Sequence, residues 1–322
     1  MRFIEVCAGA GGMSKGLMKA GWQPIMLLDN DKDCCETLRL NHPNVKILHK
    51  SMTDVNLNEY KDNVDVLVGG IPCQSFSQAG ERKGLEDARG QLVIHFARMC
   101  LESDVSYFIV ENVKGLLTHD KGKTFETFKK HLENNGTYHI SYKVLNANDY
   151  GVAQKRERLF IIGSKDKINF PFPLAIEPKP VLKDILKDVP DSPHTPYSEN
   201  KRKVLERVPA GGCWVDLPED VQKEYLGKSY TSGGGKRGIA RRLSMDEPCL
   251  TLVTSPSQKQ TERCHPTETR PFTLRESARI QSFPDDYKFH GSTSSVYKQI
   301  GNAVAVEVAY HVAKAFKEIN HN

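Results

Sequence analysis

A doubly wound, mostly parallel α/β sheet is the fold class this sequence predicts, and three observations predict it. Short apolar runs alternate with helical patterns through residues 1–165. A glycine-rich turn, CAGAGG (7–12), follows the first apolar run and precedes a helical pattern. An aspartate, Asp29, closes the second apolar run 20 residues beyond Gly9.

The elements follow in order. Phe3–Val6 reads as a strand and Ser14–Ala20 as a helix. Ile25–Leu28 is the second strand, with a helix over Lys32–Leu40. Val45–Leu48 and Val64–Val68 are further strands, and Gln91–Leu101 is apolar at helical spacing. Tyr107–Val110 is a strand, Thr124–Asn134 a helix ended by Gly136, and Ile140–Leu145 and Leu159–Ile162 complete the series.

The character changes after Gly163. Pro171, Pro173, Pro178 and Pro180 break any helix there. Residues 200–242 carry ten Lys/Arg against five Asp/Glu among turn-rich pieces such as PAGGCW and TSGGGKRG. This predicts a smaller, irregular second domain over 173–295, with 1–172 and 296–322 forming the first. Helical periodicity returns at Thr273–Ser282, where Thr273 and Glu276 make a capping box, and at Ala303–Ile319.

The composition excludes several classes. Hydrophobic content of 39% and charged content of 26% are those of an ordinary globular chain, and a net charge of +5 permits a polyanionic partner without demanding one. The N-terminus lacks a secretion signal, and no apolar run is long enough to span a membrane. The expected location is the cytoplasm. Eight cysteines without a CxxC pair argue for reduced thiols and no metal site; Cys264-His265 lacks partners at ligand spacing.

Glycines between a strand and a helix let backbone approach a ligand, and the helix N-terminus offers free N–H groups. Gly9 and Gly11 fit a dinucleotide fingerprint, but Ser14 stands at the third glycine position, so that fingerprint fails. With Asp29 able to accept from both hydroxyls of a ribose, the pair points to a nucleoside-bearing cofactor of unspecified kind. GGIPCQSFSQAG (69–80) then sets Cys73 beyond a strand, where open α/β sheets place ligands. Pro72 fixes its approach; its polar neighbours suit a thiolate nucleophile, while a buried filler is the competing reading that the residues alone leave open. Glu111, at the end of the next strand, is placed for partial desolvation and proton donation. Gln154, Arg156 and Arg158 alternate along a strand, presenting two forked cations on one face to a phosphate or a polarised carbonyl.

In this order the motifs resemble the C5-cytosine DNA methyltransferases of bacterial restriction–modification type. They are CAGAGG, DNDKDCCETLRLNHP (29–43), GGIPCQSFSQAG, EDARGQL (86–92), ENV (111–113), QKRER (154–158), RPFTLRESARIQSFPDDY (270–287) and QIGNAV (299–304). The resemblance covers nearly the whole chain. It implies S-adenosyl-L-methionine as cofactor, held by Cys7, Ala8, Gly9, Gly11, Gly12, Asp29, Asn30, Ser51, Met52, Pro72, Leu92, Asn302 and Val304. Asn302 is expected to begin the last helix. It implies attack of Cys73 on C6 of a flipped cytosine, with Glu111 at N3 and Arg158, neighboured by Arg156, at O2 or a flanking phosphate. Gln74, Ser77 and Arg89 belong to a loop expected to close over the base, with Gln74 and Ser77 touching the DNA backbone. Arg237, Arg241, Arg242 and the segment 254–263 are the candidates for base readout.

The implied partner is duplex DNA, bound by a monomer, with a restriction endonuclease as a genetic rather than a physical partner. Cys7 and Asn30 stand where the family often has aromatic residues, and Ser51 where it often has aspartate, so the adenine pocket is expected to be built differently. Three rival readings carry discriminating features. A tRNA cytosine methyltransferase is opposed by Pro-Cys-Gln with a sizeable basic region. A non-catalytic DNA-binding regulator is opposed by the joint presence of Cys73, Glu111 and Arg158. A nicotinamide dehydrogenase is opposed by the missing third glycine.

Overall fold

The computed structural model describes residues 1–71, 91–231, 238–256 and 258–319. Its centre is a seven-stranded sheet of β1 (Arg2–Val6), β2 (Gln23–Asp29), β3 (Lys46–His49), β4 (Val66–Gly70), β5 (Tyr107–Val113), β6 (His139–Asn146) and β8 (Glu157–Ser164), in the order β3-β2-β1-β4-β5-β8-β6. Neighbours from β3 to β5 are parallel. β8 runs antiparallel between β5 and β6. The central strands are apolar on both faces because helices cover both, while the edge strands β3 and β6 are partly exposed. Two buried clusters result, one around Phe3, Leu27, Val68 and Ile109, the other around Ile4, Met26, Leu67 and Phe108. The chain winds outward from β1 through β2 to β3, then returns to β4 on β1's other side. That reversal leaves a crevice beyond the carboxyl ends of β1 and β4, where such sheets bind ligands.

The helices flanking the sheet are α1 (Gly12–Lys19), α2 (Lys32–Asn41), α3 (Leu92–Glu102) and α4 (Lys123–Glu133). α1 packs against the last helix, α10 (Val306–Ile319), at close range. A Cβ on Gly12 would lie 2.2 Å from the Val304 carbonyl oxygen, and one on Gly16 2.3 Å from that of Val306. Gly11 caps α1 in the left-handed conformation, at φ +78°. Gly11 and Gly12 serve backbone geometry and helix contact, and neither is among the residues that line the cavity in the crevice beyond β1 and β4.

The later part of the chain holds short elements: α5 (Leu182–Ile185), α6 (Glu199–Glu206), α7 (Glu219–Leu226), β7 (Gln154–Lys155) paired in parallel with β9 (Cys249–Leu250), α8 (Leu274–Ile280) and α9 (Thr293–Asn302). The capping box forms: the Thr273 side chain accepts from the Glu276 N–H, and Glu276 Oε2 accepts from the Thr273 N–H at 2.7 Å. A cluster of Leu205, Val208, Leu217, Val221, Leu226, Ile239, Ala240 and Cys264 stands separate from the sheet. Residues of α8 and α9 instead share a cluster with Ala10 and Val306.

Three strand or helix ends differ from expectation. Gly69 and Gly70 lie inside β4, where their backbones pair with Val110 and Glu111 of β5. Glu111 lies within β5 rather than past it, paired with Phe160 of β8. Asn302 ends α9 instead of opening the last helix; α10 begins at Val306.

Candidate active site

A cavity of about 510 Å³ occupies the crevice at the chain reversal. Of the sequence-predicted residues, Cys7, Ala8, Gly9, Asp29, Asn30, Ser51, Met52, Leu92, Asn302 and Val304 line it, together with Glu111, Arg156 and Arg158. Pro72, Cys73, Gln74, Ser77, Arg89 and Arg237 lie outside the described residues.

One end of the cavity is acidic. Asp29 Oδ2 accepts the Gly9 N–H at 2.7 Å and its Oδ1 accepts that of Asp31 at 2.8 Å, so the carboxylate is fixed by the turn it faces. Burial raises its pKa against the pull of those donors. Cys7, at φ 52°, directs its sulfur to 3.7 Å from Met52 Sδ. Burial, with Asp29 and Glu5 nearby, pushes the Cys7 thiol up to about 12, so it stays neutral. Ser51 caps the turn at 52–54 through its hydroxyl, which accepts the Thr53 N–H at 3.3 Å.

The other end pairs an acid with a cation. Glu111 is 8% exposed, and Arg158 Nε stands 3.1 Å from its Oε1. Burial raises the Glu111 pKa despite Arg158 and Arg156. Its neighbour Asn112 turns the other way and donates to the Ile71 carbonyl at 3.0 Å. That bond fixes the last described residue before Pro72 to the strand carrying Glu111.

Sequence reasoning overlooked two buried groups. Glu5, on β1, lines the cavity, and its Oε2 has no hydrogen-bond partner among the described residues. Burial pushes its pKa up to about 8. The apolar neighbours in FIEVC made it look like an alternating strand residue, and only the sheet reversal shows that its face meets the cavity. Between about pH 4.5 and 8 the folded chain therefore binds more protons at Glu5 than the unfolded chain, and stability falls as pH rises through that window. Glu5→Gln is expected to flatten this dependence and to stabilise the ligand-free protein at pH 8 by roughly 1–3 kcal/mol. Thermal melts of both proteins from pH 5 to 8.5 check it; parallel curves would refute it. Gln281, fully buried, is the second: its Nε2 donates to the Ile300 and Ala303 carbonyls at 2.8 and 3.1 Å.

Gln154 and Arg156 do not project to a common polar surface. Gln154 is buried and bonds to Gln281 Oε1, the Ile280 carbonyl and the Leu252 N–H. Arg242 corrects its expectation outright. All five of its guanidinium N–H groups are used internally, on the carbonyls of Val208, Leu205, His265 and Glu268 and on Thr269 Oγ1, and the residue is 6% exposed. It braces the irregular unit and has no donor left for a base edge. Arg241 is different: its Nη2 is 3.9 Å from Glu247, and its Nε has no partner among the described residues.

With the geometry in place, comparison with known proteins is decisive. The family model for C-5 cytosine-specific DNA methylases matches residues 1–318. The chain belongs to that family. The type II methyltransferase M.Sau96I of Staphylococcus aureus is 52% identical over 97% of this chain and 74% of its own length. M.Eco47II of Escherichia coli is 48% identical over 97% of this chain and 78% of its own length. A solved structure of a putative DNA modification methyltransferase encoded within an E. coli prophage covers 100% of both chains at 25% identity and a TM-score of 0.73. The Dnmt2 methyltransferase of S. pombe, at 18% identity and a TM-score of 0.65 over 99% of both chains, shares the fold. The chain is thus a DNA (cytosine-5-)-methyltransferase of restriction–modification type, and DNA is its substrate. No described helix is long and apolar enough to cross a membrane.

Proposed function

We propose that this methyltransferase uses S-adenosyl-L-methionine to methylate C5 of a flipped-out cytosine within a specific duplex sequence, through a covalent bond from Cys73 to C6. The observation that carries the reading is the single cavity joining the Asp29 carboxylate to the Glu111–Arg158 pair. The residues present fit the cofactor. Asp29 retains lone pairs for ribose hydroxyls. Glu5 Oε2, without a partner among the described residues, faces the cavity as a polar group for a ligand, and no described atom lies within 4 Å of a Cβ built on Gly9, so the turn leaves room for one. Cys7, Met52 and Leu92 supply polarizable and alkyl surface for the adenine in place of aromatic rings. When bound, the cofactor supplies the methyl group.

The chain's own residues prepare the base to receive it. Extruding the cytosine costs a few kcal/mol of stacking and pairing. The Cys73 thiolate adds to C6, and electron density moves to C5. Glu111, whose pKa burial raises, holds or protonates N3 so that negative charge does not accumulate. Arg158, which anchors Glu111, stabilises O2 or a flanking phosphate. After C5 is methylated its proton leaves to a base, for which an ordered water is suited, and β-elimination returns the electrons to sulfur and frees Cys73.

We further propose that the unit around Leu205–Cys264, with Arg241 and the segment 254–263, lies in a groove of the duplex. Its lysines and arginines would give a salt-dependent phosphate term beneath base readout. The modification protects DNA from a cognate nuclease in this reading. Bisulfite sequencing of DNA from cells expressing the chain tests it. Fully protected cytosines in one short recurring sequence are expected; uniform conversion would refute the activity.

A further inference from the structure

Arg156 and Arg158 sit two residues apart and line the same cavity, but they bond to different neighbours; Nε and Nη1 of Arg156 have no partner among the described residues. Arg158 meets Glu111. Arg156, 2% exposed, donates from Nη2 to the Gly301 and Ala303 carbonyls at 3.0 and 3.1 Å. These carbonyls flank Asn302, where α9 ends, and lead into Val304; Asn302 and Val304 both line the cavity. A cation on the last carbonyls of a helix satisfies groups that have no intrahelical partner and is favoured by the helix dipole. Arg156's own backbone is held as well. Its N–H donates to Asn146 Oδ1 at 3.1 Å, and its carbonyl accepts the Ala147 N–H at 2.9 Å. Gln281 takes the Ile300 and Ala303 carbonyls from another direction. The turn 301–304 is thereby clamped by two buried side chains, and Asn302 is presented from a fixed backbone.

We propose that Arg156 is a positioning residue for the cofactor, its guanidinium Nη2 holding the 301–304 turn so that Asn302 and Val304 form one wall of the cavity. This rests on the cavity being the S-adenosyl-L-methionine site. It separates the two arginines of QKRER into a cofactor-side and a base-side residue, where the sequence placed both with the base.

The test compares Arg156→Lys and Arg156→Gln with Arg158→Lys in the full chain. Three readouts are needed: steady-state kinetics with labelled S-adenosyl-L-methionine and unmethylated plasmid DNA, calorimetric binding of S-adenosyl-L-homocysteine, and thermal melts. For Arg156→Gln the cofactor KM and the S-adenosyl-L-homocysteine Kd are expected to rise about tenfold or more, with the KM for DNA within about twofold of wild type. Arg156→Lys, which keeps one charged donor, is expected to recover part of that loss. Arg158→Lys is expected to lower kcat with the cofactor KM unchanged. The proposal is overturned if Arg156 variants keep wild-type cofactor constants while kcat or DNA affinity falls. It is equally overturned if cofactor and DNA constants worsen together in step with a lost melting temperature, because Arg156 would then be a general brace. If the wild-type protein itself fails to bind S-adenosyl-L-homocysteine, the reading of the cavity falls, and this proposal with it.

Discussion

Cys73→Ser is expected to reduce methyl transfer by about 10³-fold or more, to the limit of detection, while DNA binding stays within a few-fold of wild type. A serine hydroxyl has far too high a pKa to form the oxyanion that would replace a thiolate here, and no general base is assigned to it. Nor do the other cavity thiols offer a substitute. Cys7 is pushed up to about 12, and burial raises Cys34 further above the ordinary thiol range. A duplex carrying 5-fluorocytosine at the target position gives a second readout. Its C5 fluorine cannot leave as a proton does, so the wild-type adduct should be trapped and map to Cys73. Substantial turnover by the serine variant, or a crosslink on another side chain, would overturn the nucleophile assignment.

Glu111→Gln carries the second large effect. A glutamine can hold N3 or the exocyclic amine by hydrogen bonding but cannot release a proton to the ring. The expected loss is about 10²–10⁴-fold in kcat, the range of a general acid. The pH dependence gives the sign. Burial raises the Glu111 pKa, so the protonated form persists to higher pH than in a free carboxyl, and activity should fall as pH rises through that value. The glutamine variant should lack this descending limb. A variant with wild-type kcat, or one that keeps the limb, would show that Glu111 is not the acid.

The sheet was legible in the sequence for one reason: strands buried on both faces read as continuous apolar runs, and most of the early runs had helical spacing after them. Asp29 and Glu111 were legible because polar residues that end apolar runs fall at the carboxyl edge of the sheet. Glu5 was not, because it interrupts a run rather than ending it. The antiparallel insertion of β8 was equally hidden, since a strand's direction depends on the path of the loop before it. Arg242 misled for a different reason. A basic residue in a basic, glycine-rich segment looks solvated, and only the carbonyls of Leu205, Val208, His265 and Glu268 converging on it show a buried brace. Arg156 and Arg158 were expected on one face of one strand, but Arg156 falls in the break between β7 and β8, beside the end of α9, while Arg158 lies on β8 and meets Glu111.

The cavity takes one wall from Cys7–Gly9 and another from Asn302–Val304, nearly opposite ends of the sequence. During translation the first wall leaves the ribosome tens of seconds before the second. The β1–β4 ladder can pair in that interval, but the cavity wall at 302–304 cannot yet be in place. On the proposed reading of the cavity, a nascent chain lacks a complete cofactor site until residues near 304 have emerged.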